Sequence, residues 1–259
     1  MTNNPQLSFQ RGVVRPVECL KGGWELIKDQ YWLFLGMTIV GMLIGSALPM
    51  AILFGPMMCG LYLTFFKKRR GEPIEFGLLF KGFDYFGQSV IATLFHIIPI
   101  LAVAVPAYFG FYIGIILVAV ASQGSDQGAV TGVLFMLLFA VFFLILMLAI
   151  ILISIGFLFA YPLIVERRLQ GFDAVKLSFR AAFANFWGLL GLMFLGYLLS
   201  IAGLFVFIIG VYLAVPITYA AIAVAYEQVL DSLIKTASNR ICLLHRHNFL
   251  KRDLRWIWT

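Results

Sequence analysis

His96 lies one helical turn after Thr93 and just ahead of Pro99, inside an otherwise apolar stretch. At that spacing an imidazole can stay neutral, bonded to a hydroxyl or to a carbonyl freed by the proline; a pathway or ligand role is the second reading. Two prolines invite a transport mechanism. Pro56, within Gly55-Pro56, precedes Lys67 by the same eleven residues by which Pro216 precedes Glu227. Broken helices at matching positions of two repeats point to a binding site in carriers, although hairpin geometry alone also accounts for them. Pro56, His96 and Pro216 are therefore the candidate gating or pathway residues. His245-Arg246-His247 brings two imidazoles together, but a metal site needs three or four converging ligands and none other lies nearby. The sequence has no HExxH, GxSxG or Walker pattern and no paired acids within its apolar segments. No catalytic, metal or cofactor-binding residue is predicted, and the chain reads as no enzyme.

What must position these residues follows from composition. Of 259 residues, 62% are apolar and 12% charged, with a mean hydropathy of +0.98; soluble domains hold roughly 45–50% and 25%. This is membrane composition. A net charge of +7 would suggest nucleic acid in a soluble protein, but the placement of the bases argues otherwise. All nineteen Lys and Arg fall in residues 1–30, 67–85, 166–185 and 227–259. The remaining polar gap, Ser122 to Gly128, holds Asp126 and no base. Basic residues collect on the cytoplasmic side of short loops, so both termini are predicted inside and 122–128 outside, in the inner (cytoplasmic) membrane.

Residues 31–66 carry no charge over 36 positions. As one helix they would measure about 54 Å, against a hydrocarbon core of about 30 Å. Basic segments at both ends require an even number of crossings, and Gly45-Ser46, Pro49 and Gly55-Pro56 offer the turn. The stretch 186–226 reads likewise, with Gly203 and Gly210 for its turn; a re-entrant hairpin is the other reading of both. Between Val133 and Ile155 there is no Gly, Pro, Asn or Asp, so a turn there would leave backbone unsatisfied in lipid. One long helix follows, and 86–121 crosses once, kinked or broken near Pro99 and Pro106. The spans are about 31–48, 50–66, 86–121, 129–165, 186–204 and 207–226, with an eight-span arrangement as runner-up.

The chain also matches itself at an offset of 155. Pro16 to Trp24 lies over Gly171 to Phe179, and Gln30-Tyr31-Trp32 over Asn185-Phe186-Trp187. In both copies apolar residues recur at steps of three and four: Val17, Leu20, Trp24, Ile27 and Tyr31 against Phe172, Val175, Phe179, Ala182 and Phe186. This predicts amphipathic helices along the cytoplasmic interface, each feeding a span. Phe76, Leu79, Phe80 and Phe83, opposite Lys81 and Asp84, predict a third. Trp24, Trp32, Trp187, Trp256 and Trp258 are candidate membrane-interface anchors. Both copies run in the same direction, so the repeat is parallel. The predicted fold is an all-α polytopic membrane bundle of about six transmembrane helices. Residues 1–14 form a cytoplasmic tail, 15–228 the membrane domain, and 229–259 a basic cytoplasmic or interfacial segment resting on anionic headgroups.

GxxxG motifs at Gly41–Gly45 and Gly110–Gly114 suggest close helix contacts within one bundle. Cys19, Cys59 and Cys242 fall in the bilayer or on its cytoplasmic side, where a disulfide is not expected. No cleavable signal pattern opens the chain, so the first hydrophobic segment is expected to target it.

Lys67-Lys68-Arg69-Arg70-Gly71-Glu72-Pro73, leading into Phe76-Gly77-Leu78-Leu79-Phe80-Lys81-Gly82-Phe83, follows an amphipathic helix and a hairpin with a Gly-Pro break. Later come Tyr161-Pro162-Leu163-Ile164-Val165-Glu166, Gly171 to Ser178 and Asn185-Phe186-Trp187. Over residues 15 to 228 this order resembles a family of uncharacterised bacterial integral membrane proteins related to the membrane domain of glycerophosphoryl diester phosphodiesterases. The resemblance implies a six-helix bundle in a bacterial cytoplasmic membrane and no particular activity. No counterpart of the fused metal-dependent barrel is expected, since His245-Arg246-His247 is only superficially similar to its opening motif.

Two functions remain. The first is a non-catalytic membrane protein that organises or assists membrane partners or lipids, with the bilayer and its anionic headgroups as partners, an unidentified protein partner, and no nucleic acid. The second is a facilitative channel or carrier for a neutral or lipidic solute.

Overall fold

A computed structural model describes residues 12–47, 52–121, 126–204 and 210–229. Pro49, Ser122 to Ser125, Cys242, His245, His247, Trp256 and Trp258 lie outside the described residues, as do the extreme ends of the predicted tails. Among the described residues the regular structure is helical, with no strand. The order is α1 (Pro16–Ile27), a 3-10 turn (Lys28–Gln30), α2 (Tyr31–Ser46), α3 (Phe54–Arg69), a 3-10 segment (Phe76–Tyr85), α4 (Phe86–Ala121), α5 (Asp126–Phe157), α6 (Ala160–Arg167), α7 (Gly171–Ala184) and α8 (Phe186–Leu204). A ninth helix, α9, spans Gly210–Val229. Pro16 opens α1 after an extended Arg15, the position where a missing N–H costs no helical bond.

Four helical stretches are long and apolar enough to cross a membrane: Phe76–Val120, Gly132–Arg167, Phe186–Gly203 and Gly210–Val229. They mark a membrane protein. Helices α2 and α3, 16 residues each, reach about 24 Å at 1.5 Å per residue, short of a full hydrocarbon core.

The chain divides into two compact units. Unit 1 comprises Met1–Ile39, Thr64–Phe76 and Arg180–Thr259. Here α1 turns its small face inward: Cys19, Gly23 and Ile27 are buried while Val17 and Trp24 are exposed. The reason is a close helix crossing, because a Cβ on Gly23 would sit 2.6 Å from the Ala221 nitrogen of α9. Val17 and Trp24 are thereby displaced to the outer face, while Ile27 at the helix end stays fully buried. Phe34 stacks on Phe65 at 5.1 Å and Phe66 meets Tyr226 at 5.5 Å. The Tyr31 hydroxyl donates to the Leu213 carbonyl at 2.7 Å, and Asn185 Oδ1 accepts from the Val13 N–H at 3.1 Å. Gly203 and Gly210, expected at the turn, bring their backbones together so closely that a Cβ on either would strike the other.

Unit 2 comprises Val40–Leu63 and Gly77–Phe179. The third amphipathic element, expected as a helix, is instead a 3-10 segment, ten residues long where such runs seldom pass four. Backbone crossing explains it. Gly60 of α3 meets the Leu79 carbonyl and Gly82 meets the Pro56 carbonyl, neither leaving room for a Cβ. Leu78, Leu79 and Gly82 are buried against this contact, while Phe80 and Phe83 remain exposed. Helix α4 continues through Pro99 and Pro106 without interruption, so neither proline breaks it. It pairs with α5: Gly114 receives the ring of Phe135, and Phe111 packs on Phe139 at 4.5 Å. Gly110, the other glycine of that GxxxG, faces open space. Between α5 and α6 the chain breaks at Leu158-Phe159. Buried Ser178 of α7 stitches the break, donating to the Gly156 carbonyl at 2.5 Å and accepting from the Phe159 N–H at 3.1 Å.

The 155-residue offset is visible in where helices begin. Helices α1 and α7 start at Pro16 and Gly171, and α2 and α8 at Tyr31 and Phe186. Cys19, Gly23 and Ile27 are buried, and so are their counterparts Ala174, Ser178 and Ala182.

Candidate functional site

The three candidate pathway residues occupy packed surroundings. Pro56 is buried in the first turn of α3, and Pro216 is buried in the second turn of α9, which continues past it. Neither breaks its helix, which corrects the sequence expectation. A proline in the first turn gives up an N–H that has no helical partner. Gly55 lies against the Ser89 backbone and the Thr93 hydroxyl of α4, so the start of α3 and the His96 region of α4 are adjacent within unit 2.

His96 is half-buried and stacked on Phe157 of α5, with ring centroids 4.6 Å apart and planes 13° from parallel. Its Nε2 is buried with no hydrogen-bond partner. The expected bond to Thr93 is replaced because the Thr93 hydroxyl donates to the Ser89 carbonyl at 2.8 Å and lies 3.1 Å from the Tyr161 hydroxyl.

A cavity of about 580 Å³ lies between α4 and α5, lined by Ala104, Ala107, Phe111, Phe139, Phe143 and Leu146 among others. Tyr108, Met136 and Met147 also line it, and its wall is almost wholly apolar. Neither Pro56 nor His96 borders it. Sequence reasoning missed this groove; its signal was Ala104 and Ala107 three apart on one helix, facing phenylalanines four apart on the next. Small residues opposite aromatic ones leave a trough where like-sized residues would interlock.

The candidate anchors stand out from the surface. Trp32 is 77% exposed and Trp187, its counterpart at the 155 offset, 81%; Trp24 is 43% exposed and meets Tyr31 at 5.7 Å. Phe186 packs edge-on against Trp187 at 5.4 Å.

Charge gathers at the helix ends in unit 1. Lys68 of α3 pairs with Asp29, and Arg69 with Glu227 at 2.9 Å. Glu72 takes Arg70 at 2.7 Å and Lys67 at 3.2 Å. The Lys68 ammonium holds the Asp29 carboxyl below its ordinary value, and Arg70 with Lys67 does the same for Glu72. Burial pushes the Cys19 thiol up to about 11, and its Sγ lies 3.3 Å from Gln228 Oε1. Among the described residues no three His, Cys, Asp or Glu side chains gather as metal ligands would.

No family model, curated protein or solved structure matches the chain.

Proposed function

We propose that the chain is a non-catalytic, six-span protein of a bacterial inner membrane, with both termini cytoplasmic, that organises lipids around its α4–α5 pair. The observation that carries the lipid reading is the apolar groove between those helices. Its walls match an acyl chain, which within the bilayer is held by van der Waals packing rather than by transfer from water. Six crossings follow if α2 and α3 form a thin hairpin between basic segments, with local thinning of the bilayer absorbing the mismatch. Exposed Trp24 of α1, exposed Phe172 and Phe183 of α7, and exposed Trp32 and Trp187 at the starts of α2 and α8 support α1 and α7 lying along the headgroups. Kinship with the membrane domain of glycerophosphoryl diester phosphodiesterases belongs to the same reading and rests on the motifs of residues 15 to 228.

Native mass spectrometry of protein in mild detergent tests the lipid reading. The parent is expected to retain phospholipid, and Ala107→Trp, which fills the groove, to lose most of it. Equal retention by both would overturn the reading. Impermeant thiol reagents on intact cells test the sidedness: a cysteine at Asp126 should react from outside, and cysteines at Arg69 and Arg168 should not.

A facilitative carrier for a neutral or lipidic solute is the second reading. It draws on the unpartnered Nε2 of His96. Solute flux in vesicles that His96→Phe abolishes would favour it.

A further inference from the structure

We propose that a cavity at the start of α4 binds a phosphate–ammonium zwitterion, the chemistry of an ethanolamine phospholipid headgroup, with Arg168, Gln88 and Tyr85 taking the phosphate and Asp84 the ammonium. The cavity holds about 410 Å³ and lies within unit 2. Asp84, Tyr85, Gln88 and Arg168 supply its polar groups, and Ile164 and Leu169 its aliphatic ones.

The pairing of opposite charges selects the ligand. Asp84 and Arg168 border one cavity, yet they form no ion pair with each other or with any other described residue. A bare phosphate would meet the Asp84 carboxylate, and a bare amine the Arg168 guanidinium. A ligand bearing both charges completes both with charge-assisted hydrogen bonds, which are about twice as strong as neutral ones. Gln88 is already oriented, because its Oε1 accepts from the Gly171 N–H at 2.7 Å. That leaves its amide N–H groups as donors. Arg168 is held at the end of α6 by a left-handed backbone, φ 49°. The aliphatic pair offers a surface to the glycerol and the first methylenes of a lipid.

The site deepens the lipid reading above and rests on it for the placement of these residues at headgroup depth. The test uses the full chain in mild detergent, titrated with phosphatidylethanolamine, with phosphatidylglycerol and with soluble phosphoethanolamine, and read by native mass spectrometry and thermal shift. Phosphatidylethanolamine should bind at least 10-fold more tightly than phosphatidylglycerol. Asp84→Asn should erase that preference and Asp84→Glu keep it. Arg168→Gly suits the left-handed backbone, so it should fold with unchanged or higher thermal stability and bind either lipid at least 10-fold more weakly. Saturation by phosphoethanolamine, in competition with the lipid, supports the zwitterion site and assigns a soluble source; binding of the diacyl lipid alone supports it and assigns the membrane. Equal affinity for the two lipids in the parent, or unchanged binding in folded Asp84→Glu, Asp84→Asn and Arg168→Gly proteins alike, overturns it. Carbonate extraction of the same membranes separates the two failures. Retained protein that ignores every probe sinks the site alone, whereas released protein sinks the membrane reading.

Discussion

Arg69 Nε and Glu227 Oε2 pair at 2.9 Å, joining the last residue of α3 to the C-terminal turn of α9. A glutamate there is disfavoured by the helix dipole, and the guanidinium offsets it. The arginine side chain is 46% exposed and the glutamate 18%, so solvent screening keeps the coupling to about 1 kcal/mol. Arg69→Glu should lower the midpoint of thermal unfolding in detergent, and Arg69→Glu with Glu227→Arg should recover most of the loss. An additive double variant would refute the coupling.

Acid should loosen the same end of unit 1. Folded Asp29 and Glu72 titrate below their unfolded values, which lie at about 3.9 and 4.3. Their contribution is therefore complete above about pH 4.5 and lost as pH falls through the lowered folded values. In a pH series of melting midpoints, Asp29→Asn with Glu72→Gln should lower the midpoint above about pH 6 and converge with the parent in acid, so that the acid limb flattens. A limb of unchanged steepness would assign acid sensitivity to other groups.

Glycine substitutions should separate packing from propensity. Gly60→Ala drives a Cβ into the Leu79 carbonyl, backbone that cannot swing aside, and should cost about 3 kcal/mol or prevent accumulation of folded protein. Gly110→Ala meets open space within a helix and should be neutral or stabilising by about 0.5–1 kcal/mol. Expression and detergent melting of the pair check this, and parity between them would refute the crossing of α3 by the 3-10 segment.

Cys19 should resist modification in the folded protein. With its thiol pushed from 9.0 to about 11, its thiolate fraction at neutral pH falls about 100-fold, and the side chain is fully buried. A maleimide should label it after denaturation and hardly before. Rapid labelling of native protein at Cys19 would show that α1 detaches from α9.

Much of this fold was legible because membrane crossing leaves coarse signals. The absence of breakers between Val133 and Ile155 foreshadowed an unbroken α5, and Gly203 with Gly210 supplied the close approach their lack of a Cβ permits. The offset of 155 located the starts of α1, α7, α2 and α8 from a handful of matched residues. What stayed hidden depended on partners far along the chain. Which face of α1 turns inward was decided by Ala221, and Gly23 gives no hint of that in sequence. The imidazole of His96 met Phe157 because Ser89 and Tyr161 had already engaged Thr93. The cavity at the start of α4 joins Asp84 to Arg168 across a separation that no local motif spans.

Along α4 and α5, Leu117, Val120, Leu137, Leu138 and Leu144 are all exposed. Such helices have no water-stable folded form: at about 0.3–0.6 kcal/mol per large aliphatic side chain, a twenty-residue stretch favours insertion over aqueous exposure by several kcal/mol. Transfer into a bilayer is accordingly the favourable step for these helices. Stripping the protein of detergent should yield aggregates rather than dispersed monomers.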